Sequence, residues 1–202
     1  MVKVKNFENR LIVSCQDNEH WTIPMALVGG AAGVRLNGAE NVAWCRNQYP
    51  MSVIIACHKM KQRDGSVSIT PTSDTARRLH QAGANYVAFD ARGPQDHVQA
   101  MLDALHSEGA QAVADVSSVE EGLAAWRCGA DIVATTLAPF LCTEDIKALA
   151  NTGIMVMAEG GIRTPWQARI CLNAGAELVC VGSAITRPHV ITRWFLDGIG
   201  DE

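Results

Sequence analysis

The chain has 202 residues, of which 48% are hydrophobic and 19% are charged, so it can bury one substantial core but has no room for two ordinary domains. Its net charge is −4 and its lysines and arginines are scattered singly, which excludes the basic stripe of a nucleic-acid or anionic-membrane surface. Six of its first ten residues are polar or charged, and no apolar run approaches the roughly 18 residues of a membrane span. We therefore expect residues 1–202 to form a single domain of a cytoplasmic protein.

Eight short apolar runs follow one another along the chain, with helix-like stretches between them. They are nearly continuous rather than alternating, which is typical of parallel strands covered on both faces. Helix starts are marked by a capping box at Ser118 with Glu121, and by Thr164 with Pro165 and Gln167. The predicted strands are 11–15, 33–36, 52–57, 86–89, 111–114, 131–134, 154–158 and 178–181.

A repeated phrase supports this alternation. A small residue, a glycine and an alanine precede an apolar run at Gly83, Gly129 and Gly175, and these glycines are spaced 46 residues apart. Each follows a helix-like stretch, as a glycine does when it closes a helix and the chain turns into a strand. The period corresponds to two strand–helix units of about 23 residues, near the minimum size of such a unit.

Strands that alternate with helices predict right-handed crossovers, which an open doubly wound sheet and a closed barrel both satisfy. Eight strands in 202 residues without a long linker favour the barrel. The predicted fold is α/β, a compact (β/α)8 TIM barrel. We expect its first helix to be stunted, at about two turns, because only residues 17–32 separate the first two strands and Pro24 interrupts them.

The seven cysteines are an odd number, and no two of them form a C-x-x-C pair. Their neighbours are mostly apolar, so the sequence predicts neither a disulfide framework nor a metal site. Cys57 is close to Lys59, a candidate base, but it is interpreted as a small buried core residue.

A polar or charged side chain follows every predicted strand. In a barrel, the carboxyl ends of the strands and their loops form the active site. Helix starts explain Ser, Thr, Asp and Gly at such positions, but they do not explain Arg35, Lys59 or Glu159. The residues at the strand ends are Gln16, Arg35, Asn37, Lys59, Asp90, Asp115, Thr135, Thr136, Glu159, Gly182 and Ser183.

The loops after the last two strands have the composition of a phosphate site. Glu159-Gly160-Gly161 and Gly182-Ser183 offer backbone N–H groups to an anion, and Arg187 follows closely enough to bracket a dianion. The alternative is that these glycines only form tight turns. The occurrence of both at the usual phosphate position of a barrel favours an anion site.

The direction of Lys59 follows from strand pleating. If the third strand continues, Lys59 faces the same way as Ile55 and Cys57 and points into the barrel mouth, whereas His58 faces the opposite way and is interpreted as structural. A lysine in the mouth can act as a proton-transferring base. The alternative is a solvated lysine that opens a polar loop.

At these residues the chain resembles N-acetylmannosamine-6-phosphate 2-epimerases of bacterial sialic acid and aminosugar catabolism. The matching phrases run through nearly the whole chain in family order, and together they are specific. They are 11–16 (LIVSCQ), 33–38 (GVRLNG), 69–72 (ITPT), 114–117 (ADVS), 135–137 (TTL), 158–160 (AEG) and 181–188 (VGSAITRP).

The resemblance implies a homodimeric barrel enzyme that interconverts N-acetylmannosamine 6-phosphate and N-acetylglucosamine 6-phosphate without a metal or organic cofactor. It implies that the C2 proton is removed and returned, with Lys59 as the catalytic lysine and Glu159 as its acidic partner. The predicted substrate-binding residues are Gln16, Arg35, Asp115, Thr135, Gly160, Gly161 and, at the family's phosphate site, Gly182, Ser183 and Arg187.

The chain departs from the family's pattern at Gly161, where an arginine is usual, at Arg92, where a threonine is usual, and in the loop 138–141 (APFL). Two alternatives to the epimerase stay open. One is a non-catalytic sugar-phosphate-binding paralogue or sensor. The other is a Schiff-base aldolase, which a lysine late in the barrel would mark, and residues 131–137 contain none.

Overall fold

A computed structural model describes residues 7, 9–16, 19–61 and 65–200. Eight of its strands coincide with the predicted apolar runs to within two residues at each end, so those predictions are confirmed. The strands are β1 (Leu11–Ser14), β2 (Gly33–Asn37), β3 (Val53–Cys57), β4 (Lys59–Lys61), β5 (Val67–Ile69), β6 (Tyr86–Asp90), β7 (Gln111–Asp115), β8 (Ile132–Ala134), β9 (Val156–Glu159) and β10 (Leu178–Val181).

The predicted parallel barrel is confirmed. Its strands follow the closed order β1-β10-β9-β8-β7-β6-β3-β2, and every neighbouring pair is parallel. β1 closes the barrel, because Leu11 pairs with Val179 of β10 and Ile12 pairs with Gly33 of β2. All eight strands therefore end on the same rim.

Helices connect consecutive barrel strands. The two predicted capping boxes are present, since the side chains of Ser118 and Thr164 accept hydrogen bonds from the N–H groups of Glu121 and Gln167. The described residues contain no helix long and apolar enough to cross a membrane. The helices are α1 (Glu19–Val28), α2 (Ala39–Gln48), α3 (Ser73–Gln81), α4 (Gln95–Ser107), α5 (Val119–Arg127), α6 (Thr143–Ala150), α7 (Pro165–Asn173), α8 (Ser183–Thr186) and α9 (Pro188–Ile199).

The expectation of a stunted first helix is wrong. Helix α1 has ten residues, as many as α2, although Pro24 lies inside it. Pro24 removes one backbone hydrogen bond, to the carbonyl of His20. Ile23 and Ala26 are nevertheless buried in the layer between helices and barrel. Tertiary packing of one helix face supplies most helical stability, and here it outweighs the lost bond.

Apolar side chains form two layers, one inside the barrel and one between the barrel and its helices. Alternation along each strand sorts residues between them. In β3, Ile55 and Cys57 belong to the inner layer, whereas Ile54 and Ala56 belong to the outer one. Because both faces are covered, the runs are apolar throughout, and the pattern of the sequence predicts the sheet type.

Strands β4 and β5 form an antiparallel hairpin outside the barrel, between β3 and β6, and the sequence pattern does not predict this hairpin. Lys59 begins this hairpin and does not continue β3, because β3 ends at Cys57 and His58 separates the two strands. Arg92 forms an ion pair with Asp90 at 2.7 Å and donates to the carbonyl oxygen of Val67 at 3.1 Å. These contacts hold the hairpin against the end of β6.

Candidate active site

Three charged side chains meet at the carboxyl end of the barrel interior. Arg35 lies on β2, Asp115 ends β7 and Glu159 ends β9, and strand pleating turns all three inward. The side chains of Arg35 and Asp115 are fully buried, whereas 12% of the Glu159 side chain is exposed. Glu159 is therefore the member of the cluster that a ligand in the barrel mouth can touch.

The guanidinium of Arg35 links the two carboxylates. Nη2 donates to Asp115 Oδ2 at 2.5 Å, and Nη1 donates to Asp115 Oδ1 at 3.1 Å and to Glu159 Oε2 at 2.5 Å. The hydroxyl of Thr136 lies 2.6 Å from Asp115 Oδ1 and 3.1 Å from Glu159 Oε2. Charge-assisted bonds of this kind fix geometry strongly, so the cluster holds the Glu159 carboxyl in one position.

Burial raises the pKa of the Glu159 carboxyl. Arg35 lowers that pKa, Asp115 raises it, and smaller lowering effects come from Lys59 and the Thr136 hydroxyl, with a net upward direction. Glu159 therefore retains a proton at a higher pH than an ordinary carboxyl does. A buried carboxyl with a raised pKa is typical of a group that exchanges protons with a ligand.

A cavity of about 350 Å³ opens at the carboxyl ends of the strands, and Glu159 lies in its wall. Arg35, Asp115 and Thr135 do not line this cavity. Arg35 and Asp115 form the buried layer behind Glu159, so they can act on a ligand through that carboxyl. The predicted site residues that line the cavity are Gln16, Lys59, Glu159, Gly160, Gly161, Gly182, Ser183 and Arg187.

Thr135 has a role in the sheet. Its hydroxyl donates to the carbonyl oxygen of Glu159 at 2.9 Å and accepts from the N–H of Glu159 at 3.0 Å. The neighbouring Thr136 lines the cavity instead. Pleating along β8 could have distinguished the two, because Thr136 continues the inward parity of Ile132 and Ala134.

The loop after β9 borders the cavity with two glycines whose backbone conformation other residues disfavour. Gly160 and Gly161 have φ angles of +99° and +71°, a region that side chains disfavour. They leave the loop after β9 without side chains where it borders the cavity. Arg187 lies at the same wall, and its Nη1 is 3.4 Å from Ser183 Oγ. A cation beside bare backbone N–H groups suits a phosphate.

Two thiols, Cys57 and Cys180, lie beside the charged cluster. Burial raises the pKa of both, that of Cys180 well above the ordinary thiol value. They therefore remain protonated and are poor nucleophiles. Cys57 is fully buried, as the sequence predicts.

Gln16 combines burial with missing partners. Its side chain is in the cavity wall and the residue is 8% exposed. Among the described residues, neither Nε2 nor Oε1 of Gln16 has a hydrogen-bond partner. A buried amide without partners costs free energy, so its retention at a cavity wall indicates that a polar ligand group completes its bonds.

We expect Gln16→Met to leave the free protein as stable as wild type or more stable, by about 1 kcal/mol, because the substitution removes an unsatisfied buried amide. The same variant should bind the ligand about tenfold more weakly, because one hydrogen-bonding group is lost. Urea unfolding without ligand measures the first effect. The dissociation constant for N-acetylmannosamine 6-phosphate, by calorimetry, measures the second. A variant that loses stability without ligand would show that Gln16 is a structural residue.

Several lining residues were not singled out in the sequence. Arg163 lies over the ring of Trp194, with its guanidinium carbon 4.9 Å from the ring centre, within cation–π range. A loop supplies Arg163 and helix α9 supplies Trp194. The apolar spacing around Trp194 predicts a helix, but it does not predict that this helix borders the cavity. In contrast, strand parity could have found Cys180, two residues before Gly182. The lining residues that were missed are Ser14, Ile162, Arg163, Cys180, Thr186 and Trp194.

A second groove, of about 520 Å³, lies on the outside of the barrel. Its wall is mostly apolar and includes Leu172 of α7, Val179 and Val181 of β10, and Ile185 of α8. It contains neither Lys59 nor the carboxyl cluster. The smaller polar cavity is therefore the candidate active site, although the outer groove is larger. In the described ranges, no three His, Cys, Asp or Glu side chains converge as metal ligands do.

Comparison with known proteins gives a consistent result. A family model described as "Putative N-acetylmannosamine-6-phosphate epimerase" matches residues 23–201. A Salmonella arizonae protein named "Putative N-acetylmannosamine-6-phosphate 2-epimerase" is 37% identical over 209 residues, which cover 94% of this chain and 91% of the relative. An Edwardsiella ictaluri protein of the same name is 36% identical, with 95% and 90% of the two chains covered.

The solved structure of the N-acetylmannosamine-6-phosphate 2-epimerase from Clostridium perfringens superimposes with a TM-score of 0.85 at 32% identity. The match covers 93% of this chain and 92% of that one. A deoxyribose phosphate aldolase from Aeropyrum pernix, at 17% identity and a TM-score of 0.72, shares the fold alone. Sequence and structure therefore agree that this chain belongs to the N-acetylmannosamine-6-phosphate epimerase family.

Proposed function

We propose that the protein interconverts N-acetylmannosamine 6-phosphate and N-acetylglucosamine 6-phosphate by inverting C2, as an isomerase of aminosugar catabolism. The observation that carries this proposal is that one cavity is lined by Lys59, by Glu159 with its raised pKa, and by glycine loops with Arg187 that suit an anion. The two sugars differ only in the configuration at C2. Their interconversion therefore needs proton transfer at one carbon and a fixed hold on the rest of the molecule.

Lys59 is the base in this proposal. With the sugar ring open, it takes the proton from C2, next to the C1 carbonyl, and the electrons of the C–H bond move into an enolate. Glu159, held by Arg35, hydrogen-bonds the enolate oxygen and steadies its charge. The enolate then turns its opposite face to Lys59 by rotation about the C2–C3 bond, and the Lys59 ammonium returns a proton to C2 on that face, so the lysine regains its neutral state.

The substrate lies between two walls. Gly160, Gly161, Gly182 and Ser183 border the end of the cavity that receives the phosphate, with Arg187 as its cation. Gln16 completes its amide bonds with polar groups of the sugar. Arg35 and Asp115, which lie behind Glu159, act as positioning residues without touching the substrate. Thr135 supports the backbone of Glu159 in the same way.

Proton exchange at C2 tests the proposal directly. N-acetylmannosamine 6-phosphate is incubated with the protein in deuterated buffer, and the C2 proton signal is followed by NMR. We expect the signal to disappear while the epimer forms. Ligand binding without exchange would overturn the epimerase and would favour the non-catalytic sugar-phosphate sensor.

We expect Arg187→Met to raise KM for N-acetylmannosamine 6-phosphate by about 10- to 100-fold, because one charge-assisted bond to the phosphate is worth roughly 1.5–3 kcal/mol. The kcat should change little, since the phosphate is remote from C2. Turnover of unphosphorylated N-acetylmannosamine, however slow, should not change. An equal loss for both sugars would contradict a phosphate-specific role.

The expected homodimer is also a proposal, and helix α9 supports it. None of its twelve residues is buried, and Phe195, Leu196 and Ile199 are 68%, 56% and 77% exposed. Apolar patches of this kind mark interaction surfaces. Sedimentation equilibrium should give twice the chain mass of 21.7 kDa, and a monomer at micromolar concentration would contradict the dimer. The single domain and the cytoplasmic location stay predictions.

A further inference from the structure

The hairpin that carries Lys59 is joined to the barrel through one strained residue. Of the residues that the structure describes, Thr70 alone combines a side chain with a positive φ, which is +47°. Thr70 is β-branched, and for such residues this conformation is a genuine outlier that costs free energy. It persists only where the surroundings require it, and such residues cluster at functional sites.

The hydrogen bonds that Thr70 makes in this conformation offset its strain. Its hydroxyl donates to the carbonyl oxygen of Ala88 in β6 at 2.6 Å and accepts from the N–H of His58 at 3.0 Å. Its own N–H donates to the carbonyl oxygen of His58 at 2.8 Å. Thr70 is 1% exposed, so water cannot substitute for these bonds. One side chain thus ties the base of the hairpin to a barrel strand.

His58 immediately precedes Lys59, and Lys59 pairs with Ile69, the residue before Thr70. The backbone N–H of Lys59 also donates to Asn37 Oδ1 at 2.8 Å, at the end of β2. Ile69 itself is 1% exposed and packs in the inner layer of the barrel. The backbone that bears the lysine is therefore fixed on both sides, while the side chain is left exposed in the cavity.

We propose that Thr70 is the positioning residue for Lys59: its hydroxyl fixes the hairpin so that the lysine amine stays within reach of the substrate carbon. This inference rests on the proposed role of Lys59 as the base. A general base acts only within hydrogen-bond reach of the proton it takes, and a misplacement of about 1 Å can cost roughly 100-fold in rate. All three residues of β4 are exposed, so the bonds that His58 and Lys59 donate to Thr70 and Asn37 fix this strand at the lysine itself.

Three substitutions separate the hydroxyl from the backbone strain. Thr70→Ser keeps the hydroxyl, and Thr70→Val keeps the shape without it. Thr70→Gly removes the hydroxyl and also relieves the strain, so it keeps the test open if the valine variant does not fold. We expect Val and Gly to lower kcat by about 10- to 100-fold with KM nearly unchanged, and Ser to stay within about threefold of wild type.

A stability control distinguishes positioning from general destabilisation. Leu105→Ala removes a buried side chain of α4, a helix that neither belongs to the hairpin nor lines the cavity, so it should lower Tm but leave kcat per folded molecule unchanged. A Thr70→Val or Thr70→Gly variant with wild-type kcat would overturn the proposal. So would a Thr70→Ser variant as slow as the valine variant.

Hydrogen exchange keeps this test independent of the reaction. In wild type, the amides of His58 and Lys59 should be protected, because they donate to Thr70 and Asn37. Protection of both should fall in Thr70→Val and persist in Thr70→Ser. If the wild-type protein does not exchange the C2 proton, the proposed function fails, whereas unchanged amide protection in Thr70→Val shows that the positioning inference fails.

Discussion

We expect Lys59→Met to lower kcat for epimerisation by about 10²- to 10⁴-fold, the range that a general base contributes. The substitution keeps the length of the side chain and removes the amine. Binding of the phosphosugar should persist, because Gln16 and the anion-binding wall are untouched. The measurement is the rate of C2 proton loss in deuterated buffer, together with the dissociation constant by calorimetry.

Lys61→Met is the matched control for this experiment. Lys61 lies on the same strand, β4, and is exposed like Lys59, but it does not line the cavity. It should retain wild-type exchange. If Lys61→Met were as inactive as Lys59→Met, the loss would come from the hairpin or its charge, and the assignment of the base would be wrong.

Arg35→Met should lower the free energy of unfolding by about 3–5 kcal/mol at neutral pH, because it leaves two buried carboxyls facing each other without their shared cation. The loss should shrink in acid. Removal of Arg35 takes away the largest effect that lowers the pKa of Glu159, so the folded state holds protons more tightly than the unfolded state does. Stability then falls as pH rises above about 4, the ordinary carboxyl range.

Urea unfolding at pH 5 and pH 8 measures this difference. Arg46→Met is the matched control, because Arg46 donates to the backbone carbonyls of Gly83, Pro50 and Ser52 rather than to carboxylates. It should lose the same stability at both pH values. An Arg35→Met protein with equal losses at the two pH values would show that Arg35 does not control the protonation of Glu159.

The barrel could be predicted because its signal is local and repeated. Apolar runs covered on both faces, capping boxes and evenly spaced glycines all point to the same element order. The glycines Gly83, Gly129 and Gly175 have φ angles of +110°, +105° and +108°, so each occupies the helix-closing position that the repeated phrase indicates. The polar residues at the strand ends could then be located, because each of them comes at or just after the end of an apolar run.

The parts that the sequence did not predict depend on tertiary contacts. The hairpin strand β4 has the exposed sequence Lys-Met-Lys, which has no apolar alternation to mark it. Its partner is set by the buried Ile69 and Thr70, which pack into the barrel. Likewise, the length of α1 depends on the burial of Ile23. Arg35 could be predicted to belong to the site, but its burial behind Glu159 could not, because that needs the barrel's diameter and register.

The Arg35 cluster also has a consequence for how the barrel folds. Arg35 is 80 residues from Asp115 and 124 residues from Glu159, and it joins β2 to two strands that are not its neighbours. Contacts of such high sequence separation form late, after most loop-closure entropy has been lost. In an open sheet the three charged side chains are hydrated. A barrel that removes their water without pairing them is higher in free energy, because dehydrating an unpaired charge is unfavourable. The cluster therefore favours the fully closed barrel over a partly closed one, in which the same charges would be dehydrated but unpaired.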